Sequence, residues 1–217
     1  MIAAVIFDLD GVLIDSEQAW DDVRRAFVEE QGGRWHDHAQ RDMMGMSSPE
    51  WSRYVHEDLS VALAPERISE EVAARLATRF RTQLPLLPGA RDAVARLAQV
   101  WPLGLASSSN RALIDLVLET ARLAEHFQVT VSSEEVARGK PAPDVYLAAA
   151  GALGAAPSAC AAIEDSRNGI LSAAAAGMRV IAIPNRAFPP GEEALGAATR
   201  IVGSLDALTV EVVGSCG

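Results

Sequence analysis

The sequence predicts an α/β fold: a doubly wound, Rossmann-like parallel sheet with an all-helical unit inserted into it. Three observations lead there. Short apolar runs recur at residues 3–7 (AAVIF), 102–107 (PLGLAS), 129–131 (VTV), 159–163 (ACAAI) and 179–183 (RVIAI). They are continuous rather than alternating, as strands buried on both faces of a parallel sheet are. Helical patterns lie between them, and the long interval between the first and second runs has no strand pattern at all.

The first run leads directly into FDLDGV. From residue 16 to 84 the chain is charged and helical, and Trp20, Val23, Phe27 and Val28 fall on one helix face. Ser48 followed by Pro49 reads as an N-cap with proline in the first turn, and Ser69 with Glu70 and Glu71 as the opening of another helix. Residues 16–84 are therefore expected to form a helical cap domain, with residues 1–15 and 85–217 as the α/β core. The PLLPG stretch at 85–89 punctuates the return to the sheet. Val94, Leu97, Ala98 and Trp101 share the next helix face, and Gly177 stops the helix that contains ILSAAAA. The last fifteen residues, GSLDALTVEVVGSCG, are expected to fray.

Composition narrows the function classes. A chain of 217 residues with 49% hydrophobic content can bury a core without staples. Its formal net charge of −10 argues against a general grip on nucleic acid or an anionic membrane. Cys160 and Cys216 make neither a disulfide framework nor a CxxC pattern, and no apolar stretch reaches the length of a membrane span. The chain reads as cytosolic, with Cys160 as core filler. Eighteen arginines accompany a single lysine, Lys140, in RGKPAP. Lysine is a compact point charge on a thin stem and can enter a pocket that excludes the planar arginine fork.

The strand ends carry the chemistry. Asp8 and Asp10 follow the first strand, with Gly11 to relax the turn, and ligands of open parallel sheets bind beyond the carboxyl ends of strands. Two adjacent carboxylates repel and call for a cation, for which Mg²⁺ is the economical choice. A solvated aspartate pair on a turn is the plain alternative for DxD alone. Ser107, Ser108 and Ser109 end the second run, where hydroxyls and free helix amides either cap the helix or bind an anion. Glu164 and Asp165 end the fourth run ahead of a helix starting near Asn168. No P-loop or GxGxxG is present. His36 and His38 read as a loop pair without a metal cluster. Met43, Met44 and Met46 read as cap core or substrate lining, and Trp20, Trp35 and Trp51 as cap core, with Trp20 the exception because it lies close to the DxD turn.

DxDGV after the first strand, a serine ending the second, the KPAP lysine and the ED pair ending the fourth together resemble the haloacid dehalogenase superfamily of phosphatases and phosphomutases. The resemblance covers nearly the whole chain, and the helical insert is similar to the small cap of the subgroup that includes beta-phosphoglucomutase. It implies Asp8 as nucleophile, Asp10 as general acid and base, and Ser107 with Lys140 as phosphate anchors, joined by the backbone amide of Ser108. Asp8, Asp10, Glu164 and Asp165 are the implied Mg²⁺ residues, with Asp10 lending its backbone carbonyl so that its side chain stays free. Asp10 speaks against a dehalogenase, which needs no leaving-group acid. The implied partner is a small-molecule phosphate ester; no nucleic acid or membrane partner is expected, and the protein is expected to be a monomer. Against the mutase pattern, Trp20 stands in place of a histidine, Met44 and Asn110 in place of lysines, and Ser48 in place of an arginine. A sugar- or polyol-phosphate phosphatase is therefore favoured over a mutase, with Arg24, Arg53 or Arg111 able to substitute for the missing cations. A non-catalytic binder on the same scaffold would be marked by loss of Asp8 or Asp10, and both are present.

Overall fold

A computed structural model describes every residue from Met1 to Gly217. Strand β1 (Ala4–Phe7) is followed by four helices, α1 (Glu17–Glu30), α2 (Ala39–Met43), α3 (Ser48–Glu57) and α4 (Pro65–Thr82). The chain then alternates: α5 (Ala90–Ala98), β2 (Leu103–Ser107), α6 (Arg111–Ala121), β3 (Phe127–Ser132), α7 (Asp144–Ala152), β4 (Cys160–Glu164), α8 (Arg167–Ala175), β5 (Arg179–Ala182) and α9 (Glu192–Ala197). A two-residue strand β6 (Arg200–Ile201) and helix α10 (Val210–Gly214) complete it.

The six strands form one parallel sheet in the order β3-β2-β1-β4-β5-β6. The chain winds outward from β1 to β3 and then returns to lay β4 against β1. That reversal makes the carboxyl ends of β1, β2 and β4 neighbours, the place where such sheets bind ligands.

Alternation along the strands sorts the core into two layers. Val5 and Phe7 of β1, with Leu103 and Leu105 of β2 and Ile163 of β4, face α5, α6 and the buried faces of the inserted helices. Ala4 and Ile6, with Ala162, Val180 and Ala182, face α7 and α8, whose contributions are Ala149, Ala150, Ile170 and Ala173. The first layer runs on without a break into Phe27, Trp51, Leu76 and Phe80 of the inserted helices. No helix is long and apolar enough to cross a membrane.

Several helix starts differ from the sequence reading. Helix α3 is capped by Ser47, one residue before the expected position, because Glu50 closes a capping box by accepting from both the N–H and the hydroxyl of Ser47. Helix α4 begins at Pro65, so Ser69 is interior and buried. Helix α8 begins at Arg167, and its cap is Ser166, whose Oγ accepts from the Gly169 N–H. The final residues do not fray: Leu205, Leu208, Val213 and Cys216 are buried against the first layer. Strand β6 went unread because its two residues are exposed and carry no apolar pattern.

Removing the Glu50 carboxylate should cost the helical insert its α3 start. Glu50→Ala is expected to lower stability by about 1 kcal/mol, measured by urea unfolding. An unchanged midpoint would show that the box contributes nothing.

Candidate active site

The β1–β4 pairing sets Phe7 opposite Ile163, so the next residues along, Asp8 and Glu164, emerge side by side at the sheet's carboxyl edge. Between them lies Lys140, which is only 3% exposed. Its Nζ donates to Asp8 Oδ1 at 2.8 Å, to Glu164 Oε1 at 2.6 Å and to the Ala106 carbonyl at 3.1 Å. All three ammonium protons are thereby used by the protein. The Tyr146 ring packs 5.0 Å from Nζ, and its hydroxyl donates to the same Glu164 oxygen at 2.9 Å. Burial works against the charge on Lys140, but attraction to Asp8 and Glu164 outweighs it and holds the pKa above the ordinary lysine value.

Glu164 is saturated. Besides Lys140 and Tyr146 on one oxygen, its other oxygen accepts from the N–H groups of Asp165 and Ser166 and from the Ser166 hydroxyl. Its neighbour has the opposite environment. Asp165 is buried, and its Oδ2 has no hydrogen-bond partner. Burial, together with the nearby Glu164 and Asp8, pushes the Asp165 carboxyl well above the usual range. Burial likewise raises Asp8, with Lys140 opposing and Glu164 and Asp10 adding to it.

These charges test the site for a metal. Ligand atoms of Asp8, Glu164 and Asp165 lie within 4.8 Å of one another. Against those three carboxylates stands one ammonium, so full ionisation leaves a buried excess of two negative charges, and Asp165 and Asp8 accordingly hold their protons more tightly than usual. A divalent, oxygen-seeking cation restores neutrality, and Mg²⁺ fits. The unpartnered Asp165 Oδ2, the second oxygen of Asp8 and the Asp10 carbonyl, to which no main-chain N–H bonds, are the free donors. Glu164, expected as a ligand, has both oxygens occupied and instead holds Lys140. Two glycines make the crowding possible. A Cβ on Gly11, whose φ is +77°, would overlap the Asp165 carboxylate, and one on Gly169 would overlap that of Glu164.

The Asp10 side chain turns away from this cluster. Its Oδ1 accepts from the Ser16 hydroxyl and, at 3.1 Å, from Trp20 Nε1; its Oδ2 accepts from the Ser109 hydroxyl at 2.7 Å. It is thus held between the start of the helical insert and the end of β2. Ser107 is fully buried, and its Oγ accepts from the Ser109 N–H at 3.0 Å, which leaves the hydroxyl proton free to donate. Ser108 donates to the Gly45 carbonyl of the insert at 3.2 Å, and Asn168 donates to the Met44 carbonyl at 3.2 Å.

Together these residues enclose a cavity of about 50 Å³. The core contributes Asp8, Ser108, Ser109, Lys140 and Asp165, and the insert contributes Glu17, Trp20, Arg24, the Met43 to Met46 stretch and Trp51. Ser107 lies behind this wall. His36 and His38 stack at 4.0 Å away from it, Trp35 packs in the insert, and Asn110 bonds to Ser69 and Glu134 outside the cavity. The sequence reading missed Ser16, Glu17 and Tyr146, and it named Ser109 without a role. Tyr146 had no signal, because its hydroxyl reaches Glu164 only once α7 packs under the sheet.

A family model described as haloacid dehalogenase-like hydrolase matches residues 2–177, and the chain belongs to that family. The chain is 37% identical over 194 residues to hexitol phosphatase B of Escherichia coli (strain K12), with 84% of each chain covered. Its structure is similar to that of CbbY from Rhodobacter sphaeroides in complex with phosphate, with a TM-score of 0.87 and 25% identity over 99% of this chain and 100% of that one. It also shares the fold of beta-phosphoglucomutase from Clostridium difficile, with a TM-score of 0.85 and 24% identity over 100% of this chain and 97% of that one.

Two predictions follow from the buried charges. Lys140→Arg, conservative in charge, is expected to lose most activity while keeping its circular dichroism, since a planar fork cannot fill a position bounded by Asp8, Glu164 and the Ala106 carbonyl; full activity would show the lone lysine to be incidental. Mg²⁺ is expected to raise the melting temperature of the wild type. Asp165→Asn, which removes one unpaired negative charge, should raise the metal-free melting temperature and abolish the Mg²⁺ shift. A persistent shift in that variant would place the metal elsewhere.

Proposed function

We propose that this haloacid dehalogenase-like hydrolase is a Mg²⁺-dependent phosphatase of small sugar or polyol phosphate monoesters, working through an aspartyl-phosphate on Asp8. The carrying observation is the division of labour between the two aspartates of DxD. Asp8 sits in the buried cluster with Lys140, while the Asp10 side chain is held apart from it by Ser16, Trp20 and Ser109. One is placed to attack phosphorus and the other to move a proton.

Asp8, Asp165 and the Asp10 carbonyl would hold Mg²⁺, which would supply charge neutralisation and orientation of the phosphoryl oxygens. In the first step a carboxylate oxygen of Asp8 bonds to phosphorus, the ester P–O bond breaks, and Asp10 gives its proton to the departing alkoxide. In the second step water attacks the phosphorus, Asp10 takes its proton, and the bond to Asp8 breaks to release phosphate. The three donors around Asp10 suit its ionised, proton-accepting form; the Ser16 and Ser109 hydroxyls are rotors that can turn to accept when it is protonated. Lys140 keeps Asp8 aimed and neutralised, and Glu164 anchors Lys140. The free Ser107 proton and the Ser108 amide are the proposed donors to the phosphoryl group, which revises Lys140 from direct anchor to support. The name of the 37%-identical relative, a hexitol phosphatase, supports a polyol or sugar phosphate.

Purified protein with Mg²⁺ should release phosphate from p-nitrophenyl phosphate and sugar phosphates, and EDTA should stop it. Asp8→Asn and Asp10→Asn should each lower turnover by about a thousandfold or more, and beryllium fluoride with Mg²⁺ should raise the melting temperature of the wild type but not of Asp8→Asn. Equal protection of both would overturn the covalent step. Conversion of beta-glucose 1-phosphate to glucose 6-phosphate faster than hydrolysis would make the enzyme a mutase instead.

A further inference from the structure

Arg24 has no place in the phosphoryl chemistry, yet it is one of the more deeply buried cations of the chain, at 4% exposed. It lies one helical turn after Trp20 on α1 and lines the active-site cavity. Its guanidinium packs against two adjacent indoles that meet edge to face, with Cζ 4.3 Å from the Trp20 ring and 4.6 Å from the Trp51 ring. The rings cover part of the cation but accept no in-plane hydrogen bond. Its one side-chain hydrogen bond is a long one, from Nη1 to Gln40 Oε1 at 3.4 Å, and its buried Nε has no partner.

Glu17, Asp10 and Asp21 all attract Arg24 but none pairs with it directly, and Glu17 is engaged elsewhere. Its carboxylate accepts from Gln40 at 3.0 Å, and burial raises its pKa to about 7, so near neutral pH it is often uncharged. Burial also lowers Arg24 to about 10, which still leaves it a full cation. A desolvated guanidinium that lines a substrate cavity and makes only one long hydrogen bond is complementary to an oxyanion.

We propose that Arg24, packed against Trp20 and Trp51, is the specificity-determining residue of this enzyme and selects substrates whose leaving group carries a second anion, a carboxylate or a phosphate, remote from the transferred phosphoryl. The path supports this placement. The leaving oxygen is assigned to Asp10, Asp10 bonds the Trp20 indole N–H, and the ring of that indole carries Arg24. A leaving group that starts at Asp10 and follows Trp20 is led toward the guanidinium. The subsite rests on the phosphatase reading above, since it takes Asp10 to mark the leaving-group end.

Matched pairs test it. Gluconate 6-phosphate against glucitol 6-phosphate, which differ only in a carboxylate for a hydroxymethyl group, examines the carboxylate. Glucose 1,6-bisphosphate against glucose 6-phosphate examines the second phosphate. In the wild type at least one anionic member should exceed its neutral partner by about tenfold or more in kcat/KM, because a site with an unfilled buried donor rejects the analogue that cannot fill it. Whichever pair responds identifies the anion. Arg24→Gln should bring that ratio to within about threefold, chiefly through KM, and Arg24→Lys should restore part of it. Phosphate release with no anion preference in the wild type, or Arg24→Gln lowering both members of a pair equally, would overturn the subsite while leaving the phosphatase intact. No phosphate release from any ester would instead sink the phosphatase reading on which the subsite rests.

Discussion

The ammonium of Lys140 between Asp8 and Glu164 is the interaction on which the rest of the site depends. Bringing carboxylates together under a parallel sheet is costly, and removing one partner from a buried ion pair commonly costs about 3–5 kcal/mol. The protein meets that cost with all three ammonium protons, each on a named oxygen. Arginine's wide fork would not fit among these three acceptors, which gives a physical reason for one lysine in a chain that otherwise uses arginine. The neutralisation is deliberately partial. Lys140 leaves Asp165 unpaired, and that residue of negative charge makes the site a place for a divalent cation rather than a closed ion-pair network.

The same constraint reaches into the backbone. Asp8 and Glu164 are adjacent because β4 returns to β1, and the register that pairs Phe7 with Ile163 brings their carboxylates to the same height. Gly11 and Gly169 are glycine because the carboxylates of Asp165 and Glu164 occupy the space a side chain would need. The two core layers serve the same end. The alanine-rich layer lets α7 and α8 approach the sheet closely, so that Tyr146 on α7 and Ser166 ahead of α8 can reach the Glu164 carboxylate.

Much of this was legible in the sequence, for reasons that can be named. Strands buried on both faces are continuous apolar runs, so β1, β2, β4 and β5 stand out from AAVIF, PLGLAS, ACAAI and RVIAI, whereas β6, two exposed residues at an edge, has no such signature. Asp8, Asp10, Glu164 and Asp165 were found because strand ends concentrate chemistry, and Lys140 because it is the single lysine of the chain. What each carboxylate does was not legible. Glu164 and Asp165 are neighbours of similar chemistry, and only the fold shows that one is saturated by five donors while the other keeps a bare oxygen. Ser16, Tyr146 and the Trp20–Arg24–Trp51 stack escaped for the same reason, since their roles depend on elements distant in sequence meeting in space.

The site therefore has two ends of different character, and Asp10 joins them. At one end the protein's own carboxylates outnumber their cation and suit a divalent metal; at the other, Arg24 is buried without an ion-pair partner. Asp10 takes hydrogen bonds from both sides, from Ser109 at the end of β2 and from Ser16 and Trp20 at the start of the insert. Close beside it, Ser108 and Asn168 of the core bond the carbonyls of Gly45 and Met44 in the insert. The Asp10 side chain is consequently fully oriented only when core and insert are together, which is also the arrangement that brings Arg24 and Lys140 to one cavity. On the proposed reading, recognition of the leaving group and readiness of its proton donor are thus properties of a single assembled state. A substrate that engages the insert stabilises the geometry in which Asp10 can act, and binding energy from the remote end of the molecule is spent at the bond that breaks.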